Sequence, residues 1–183
     1  TRGTISVPPG GPCIAFESSL ERDFLAFCRT DHRVARVRAQ QLVLHFYDRK
    51  RRVRRRYTPD FVVEMAEGVD VGWSRAVIEV KRRFDLIRAR DQLQAPLAAV
   101  RLWSDQQPGV IFKVVTDQAM AGGHWLANAR LMSGQIDKPH DAQFEQECAA
   151  FLIRQNEFRI SETLALAQQR GLNPDAVLAV LYR

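Results

Sequence analysis

Apolar positions recur along this chain at two spacings, and the changes between them mark the elements. In residues 16–29, FESSLERDFLAFCR, the side chains of Leu20, Phe24, Phe27 and Cys28 fall on one side of a helix turning about 100° per residue. Glu17 and Glu21 project onto that same arc, whereas Arg22 and Arg29 lie opposite. From 34 to 47, Val34, Val37, Val43, Phe46 and Tyr47 predict one long strand or two short ones. YTPDFVVEM at 57–65 predicts the next strand, with Pro59 at its start or on an edge because it has no N–H to donate. Gly68 and Gly72 punctuate a turn before a further strand at 75–82, RAVIEVKR. Helical spacing returns from Phe84 to Asp105 through Leu86, Ile87, Leu93, Leu97, Val100 and Leu102. Pro96 is expected to kink this stretch or start a second helix. VIFKVVTD at 110–117 reads as a buried strand, and 118–133 as a helix around Trp125, Leu126, Ala129 and Leu131. Strand, helix, strand predicts a crossover connection, so part of the sheet should be parallel. The class expected is α/β, a mixed sheet flanked by helices.

The ends read differently. Pro8, Pro9, Gly10, Gly11 and Pro12 predict an irregular arm over 1–15, lying against the core or reaching a partner. A linker is expected near Gly134 to His140, followed by three short helical patterns at 141–154, 160–170 and 174–183. Ser161 as an N-cap, Gly171 as a stop and Asn173 before Pro174 give the spacing of a helix-turn-helix. The organisation expected is an arm (1–15), a core (16–135) and a small C-terminal helical domain (141–183).

Composition narrows the partners. The net charge is +6, and arginine far outnumbers lysine, which favours planar, bidentate contact with phosphate. The most basic stretch, DRKRRVRRR at 48–56, lies between strand patterns and reads as a hairpin turn with its flanks. Arg49, Lys50, Arg51, Arg52, Arg54, Arg55 and Arg56 are therefore candidate DNA contacts; a solvated, self-repelling tip would give the same pattern. Cys13, Cys28 and Cys148 are odd in number, far apart and without zinc spacing, as expected of thiols in a reducing cytoplasm. No apolar run approaches the ~20 residues that span a bilayer, so no membrane partner is expected.

The candidate chemistry sits at two strands. Glu79 and Lys81, two apart, should share one strand face while Ile78 and Val80 fill the other. Asp60 opens the neighbouring apolar run. Together with Glu21 these make three carboxylates and a lysine. Such carboxylates repel one another unless a cation intervenes, and oxygen-only ligands select Mg²⁺, with Mn²⁺ able to substitute. Glu21, Asp60 and Glu79, with the Val80 carbonyl, are the candidate metal ligands. Lys81 would orient or deprotonate a nucleophilic water and neutralise charge in the transition state. Glu-x-Lys alone would equally suit a surface ion pair on an edge strand.

The order ESSLERDF (17–24), YTPDF (57–61), IEVK (78–81) and VIFKVVTD (110–117), with LANARLM (126–132) after it, resembles the TnsA endonuclease family of the PD-(D/E)xK, restriction-endonuclease-like superfamily. The resemblance implies a restriction-endonuclease-like core with Glu21, Asp60, Glu79 and Lys81 as its active site. Some family members carry glutamine where this chain has Glu79. It implies a bacterial, cytoplasmic, nucleoid-associated nuclease subunit cutting the 5′ ends of a transposon beside a DDE-type transposase, TnsB, under an ATPase, TnsC. The family's C-terminal part is winged-helix-like; with no sequence for a wing before Arg183, the one here is expected to be reduced or truncated. Two other readings fit the same residues: a stand-alone nuclease in restriction, repair or phage defence, and an inert core serving as a DNA-binding or assembly module.

Overall fold

The computed structural model describes residues 2–136, 142–153 and 160–171. In chain order its elements begin with strands β1 (Gly3–Ser6) and β2 (Cys13–Phe16), helix α1 (Ser19–Thr30), and strands β3 (Val34–Ala39), β4 (Leu44–Asp48) and β5 (Val53–Tyr57). Strands β6 (Phe61–Met65) and β7 (Arg75–Lys81) follow, then helices α2 (Arg83–Arg88) and α3 (Arg90–Asp105) and strand β8 (Val110–Thr116). Helices α4 (Asp117–Met120), α5 (Trp125–Gln135), α6 (Ala142–Ile153) and α7 (Ile160–Gln169) complete the series. Two compact units divide the chain, Thr1–Ala127 and Asn128–Arg183.

The first unit is built on a four-stranded mixed sheet in the order β3-β6-β7-β8. β6 pairs antiparallel with both β3 and β7, and β7 pairs parallel with β8 after the crossover through α2 and α3. β7 is the centre of the construction. Ala76, Val77, Ile78, Glu79 and Val80 are all buried, as expected of a strand covered on both faces. Phe24 of α1 stacks on Phe61 of β6 with ring centroids 5.4 Å apart. That contact fastens the helix to the sheet immediately beside Asp60.

Several elements differ from the expectation drawn from periodicity. The arm expected at 1–15 lies against the core, but as a β1–β2 hairpin in which Val7 is wholly buried and Ile14 and Phe16 nearly so. This hairpin packs against α1 and beside β3, joining the same core. Leu25 and Arg29 are consequently buried, although an amphipathic helix would have exposed Arg29. Arg29 donates from Nη1 to Ser6 Oγ (2.9 Å) and to the Ser6 carbonyl (3.1 Å). The 34–47 stretch is two short strands, and they enter different sheets. The run 57–65 is broken as well: β5 ends at Tyr57, and Thr58, Pro59 and Asp60 carry the chain across to β6. The helix break falls at Ala89, and Pro96 lies inside α3 instead of interrupting it. Of the apolar positions assigned there, Val100 is fully buried, but Ile87 and Leu102 face solvent.

In the second unit Ile136, Phe144 and Ala167 are buried, and Arg170 pairs with Glu147. The helix expected at 174–183, the turn before it and most of the expected linker fall outside the described residues.

Candidate active site

Strand pairing sets the geometry. The β6–β7 register places Phe61 opposite Ile78, so continuing it by one residue sets Asp60 against Glu79. The Val80 N–H donates to Asp60 Oδ2 at 2.7 Å, and the Gln40 N–H donates to the Asp60 carbonyl at 2.9 Å. Asp60 is thereby pinned from both neighbouring strands. Strand alternation brings Glu79 and Lys81 to the same side, where Lys81 Nζ lies 2.8 Å from Glu79 Oε1 and 3.7 Å from Asp60 Oδ2.

Glu79 is 1% exposed, and its second oxygen, Oε2, has no hydrogen-bond partner among the described residues. Tyr57, at the end of β5, lies close to it. Burial and the Glu79 carboxylate raise the Tyr57 phenol far above its usual range. No hydrogen bond of good geometry joins the two, so Tyr57 Oη is also a buried polar atom without a partner among the described residues. Tyr57 belongs to the YTPDF segment, yet no role followed for it from sequence; it ends β5 just before the chain crosses to Asp60 and β6.

Charge in the site is unbalanced. Burial, then repulsion from Glu79, pushes the Asp60 carboxyl up to about 6, although Lys81 and the Val80 N–H act against the rise. Burial works against the Lys81 ammonium, but Glu79, Asp60 and Glu21 outweigh it and hold its pKa above the ordinary value. At neutral pH Lys81 is therefore a fixed positive charge. Neutralising charge and orienting water, two of the tasks expected of it, fit this state.

Glu21 is in a different situation. Its charge is felt at both Asp60 and Lys81, but its oxygens serve the start of α1. Oε1 accepts from Ser18 Oγ (2.8 Å), Oε2 accepts from the Glu17 N–H (2.8 Å), and Ser18 Oγ accepts from the Glu21 N–H (3.1 Å). This is a variant of the capping box of a Ser-x-x-Glu sequence, with the Glu21 carboxylate taking the N–H of Glu17 in place of that of the N-cap Ser18. Among the described residues, no group of three or more His, Cys, Asp and Glu side chains is arranged to hold a metal ion. What converges is a pair of carboxylates bridged by an ammonium. A buried carboxylate oxygen without a donor among the described residues, next to an aspartate whose charged form is disfavoured, is donor chemistry that would suit a hard cation, with Asp60 and Glu79 as the carboxylates to hold it.

The arginine-rich segment forms the β4–β5 hairpin, and its seven cations do not share one environment. Asp48 is buried at its neck. It accepts from the Arg51 N–H (3.0 Å), Arg51 Nη1 (3.1 Å) and Arg55 Nη1 (3.1 Å). The Arg51 N–H and then the guanidiniums outweigh burial and hold the Asp48 carboxyl down to about 2. Lys50 reaches Asp91 of α3 at 3.4 Å, both ends exposed. Arg52 adopts φ 56°, a left-handed conformation at the turn. Arg49, Arg52, Arg54 and Arg56 are exposed. Arg51 and Arg55 are thus occupied in holding the hairpin together. The one acid at the entrance to a basic run was the signal for this, and charge counting passed over it.

Against known proteins, residues 31–117 match the family model described as TnsA-like endonuclease N terminal. No curated protein matches the chain.

Proposed function

From the membership of residues 31–117 in the TnsA-like endonuclease family, we propose that this protein is a Mg²⁺-dependent DNA endonuclease subunit of a heteromeric transposase, hydrolysing phosphodiester bonds at the 5′ ends of a transposon. The observation that carries this reading is the meeting of Asp60, Glu79 and Lys81 at the β6–β7 junction, with Glu79 Oε2 unpartnered and Asp60 raised to about 6.

In this reading Asp60, Glu79 and the Val80 carbonyl would hold the cation, with Glu21 adding charge from the capped end of α1. A bound Mg²⁺, or Mn²⁺ in its place, supplies Lewis acidity at the scissile phosphate and lowers the pKa of an attacking water. The residues of the chain do the rest. Lys81 donates to the water or to a phosphate oxygen and offsets the negative charge that grows in the transition state. The Val80 N–H fixes the Asp60 carboxylate, so little reorganisation is needed when DNA arrives. The burial of Glu79 limits water there, which strengthens each of these interactions. Arg49 and Arg52, exposed at the hairpin tip, provide cations for the DNA backbone. The family resemblance supplies the partners, a DDE-type transposase TnsB and an ATPase regulator TnsC, and no helix among the described residues is long and apolar enough to cross a membrane.

The test is cleavage of supercoiled plasmid carrying the element's ends, in Mg²⁺ and in Mn²⁺, with and without the co-encoded transposase. The wild type should cut at the ends only beside its partner, and Asp60→Ala should cut at least 10³-fold more slowly. Cutting without the partner would support the stand-alone nuclease instead. Undiminished cutting by Asp60→Ala would remove the site.

A further inference from the structure

The β4–β5 hairpin has two chemically different faces, and only one of them is spent on the fold. Alternation turns Phe46, Asp48 and Arg55 inward, where Asp48 holds Arg55 and the Arg55 guanidinium lies 6.0 Å from the Phe46 ring centroid. The other face carries His45, Tyr47, Arg54 and Arg56. These form two directly opposed cross-strand pairs, His45↔Arg56 and Tyr47↔Arg54. All four are exposed, and among the described residues no hydrogen bond or ion pair engages them. Holding phosphates needs only cations. This face instead interleaves guanidinium, phenol and imidazole groups, which combine donors, acceptors and flat apolar surface.

That mixture suits base edges. Arginine donates in bidentate fashion to guanine O6 and N7, while tyrosine and histidine can donate, accept or lie against a thymine methyl group. A two-stranded ribbon fits the ~12 Å major groove and not the ~6 Å minor groove. The hairpin is also well placed for it. β5 ends at Tyr57 beside Glu79, three residues before Asp60. At roughly 3.3 Å per residue, Arg56 and Arg54 lie about 3 and 10 Å up the strand from Tyr57. With base pairs about 3.4 Å apart, the face spans the first few pairs beside the bond to be cut.

We propose that His45, Tyr47, Arg54 and Arg56 read base identity in the major groove within about five base pairs of the cleavage point, while Arg49, Lys50 and Arg52 at the tip hold phosphates. The inference rests on the reading of this protein as a DNA enzyme, but its test does not depend on cleavage. The full chain is mixed, in EDTA, with a pool of duplexes of about 30 base pairs with randomised sequence, and the bound fraction is sequenced. The wild type should enrich a short base preference. Tyr47→Ala with Arg54→Gln should weaken that preference roughly 5- to 150-fold, and Arg56→Gln alone should relax it at one position. Arg49→Gln with Arg52→Gln should lower binding to all duplexes alike and leave the preference intact. An unenriched wild-type pool, an unchanged preference in the Tyr47/Arg54 variant, or loss of preference in the tip variant would overturn the proposal. Because no bond is cut in EDTA, these outcomes are independent of the Asp60→Ala assay: either reading can fail while the other stands.

Discussion

Asp60 and Asp48 are two shielded aspartates within a short stretch of chain, each facing basic side chains, and they end in opposite states. Asp60 is pushed up to about 6 and Asp48 held down to about 2. The difference is in their company. Asp48 has a backbone N–H and two guanidiniums to itself. Asp60 shares one ammonium with Glu79 and feels Glu21 as well. An acid in positive surplus is satisfied from within the chain and serves as a latch for its hairpin. An acid in negative surplus is satisfied by a proton, as the raised Asp60 shows, or by a charge from outside, which in the proposed function is a hard cation. Residue type is the same at both places; the local charge balance decides which becomes structure and which becomes chemistry.

The comparison predicts opposite responses to pH. The folded pKa of Asp60 lies above its unfolded value. Its relative contribution to stability is therefore full below about pH 4 and is lost as pH rises through about 6. The folded pKa of Asp48 lies below its unfolded value, so its contribution is present above about pH 4 and is lost as pH falls towards 2. In EDTA, Asp60→Asn should stabilise the protein above pH 7 by up to about 3 kcal/mol and give no gain at pH 4, as read from urea unfolding. Asp48→Asn should destabilise it at pH 7, with the deficit fading between pH 4 and pH 2. Mg²⁺ should restore wild-type stability above pH 6 and leave Asp60→Asn unmoved. Equal pH profiles for the two variants would break the contrast.

A second prediction sharpens the division among the arginines. Replacing Arg49 and Arg52 together by glutamine should reduce the salt slope of DNA binding by about two units, close to one for each phosphate no longer neutralised. Replacing Arg51 should instead loosen the hairpin, measured as faster proteolysis between residues 49 and 52, because its guanidinium serves Asp48. An unchanged slope for the tip pair would make the tip a solvated surface.

The smallest effect is expected at Tyr57. Tyr57→Phe removes the phenol oxygen that lies unpartnered beside Glu79. If that oxygen helps to orient Glu79 when the cation and DNA are bound, cleavage and Mn²⁺ affinity should both fall roughly two- to tenfold. If neither changes, the ring contributes packing alone.

Much of this was legible in the order of residues. Alternation and helical spacing located α1, β6, β7 and β8, and the strand–helix–strand run required a parallel pair, because side-chain direction repeats with backbone geometry. The two-residue spacing of Glu79 and Lys81 already put them on one face, and Pro59 already marked a strand start or edge beside Asp60. The tertiary structure decided the rest. It packed the β1–β2 hairpin against α1, turned the oxygens of Glu21 to the helix cap, brought Tyr57 beside Glu79, and gave Arg51 and Arg55 to Asp48 while leaving Arg54 and Arg56 exposed. The physical reason is the same in each case. Periodicity reports which side of an element is apolar, but not how many neighbours will cover it, and a charge takes its pKa and its task from partners that only folding brings within a few ångströms.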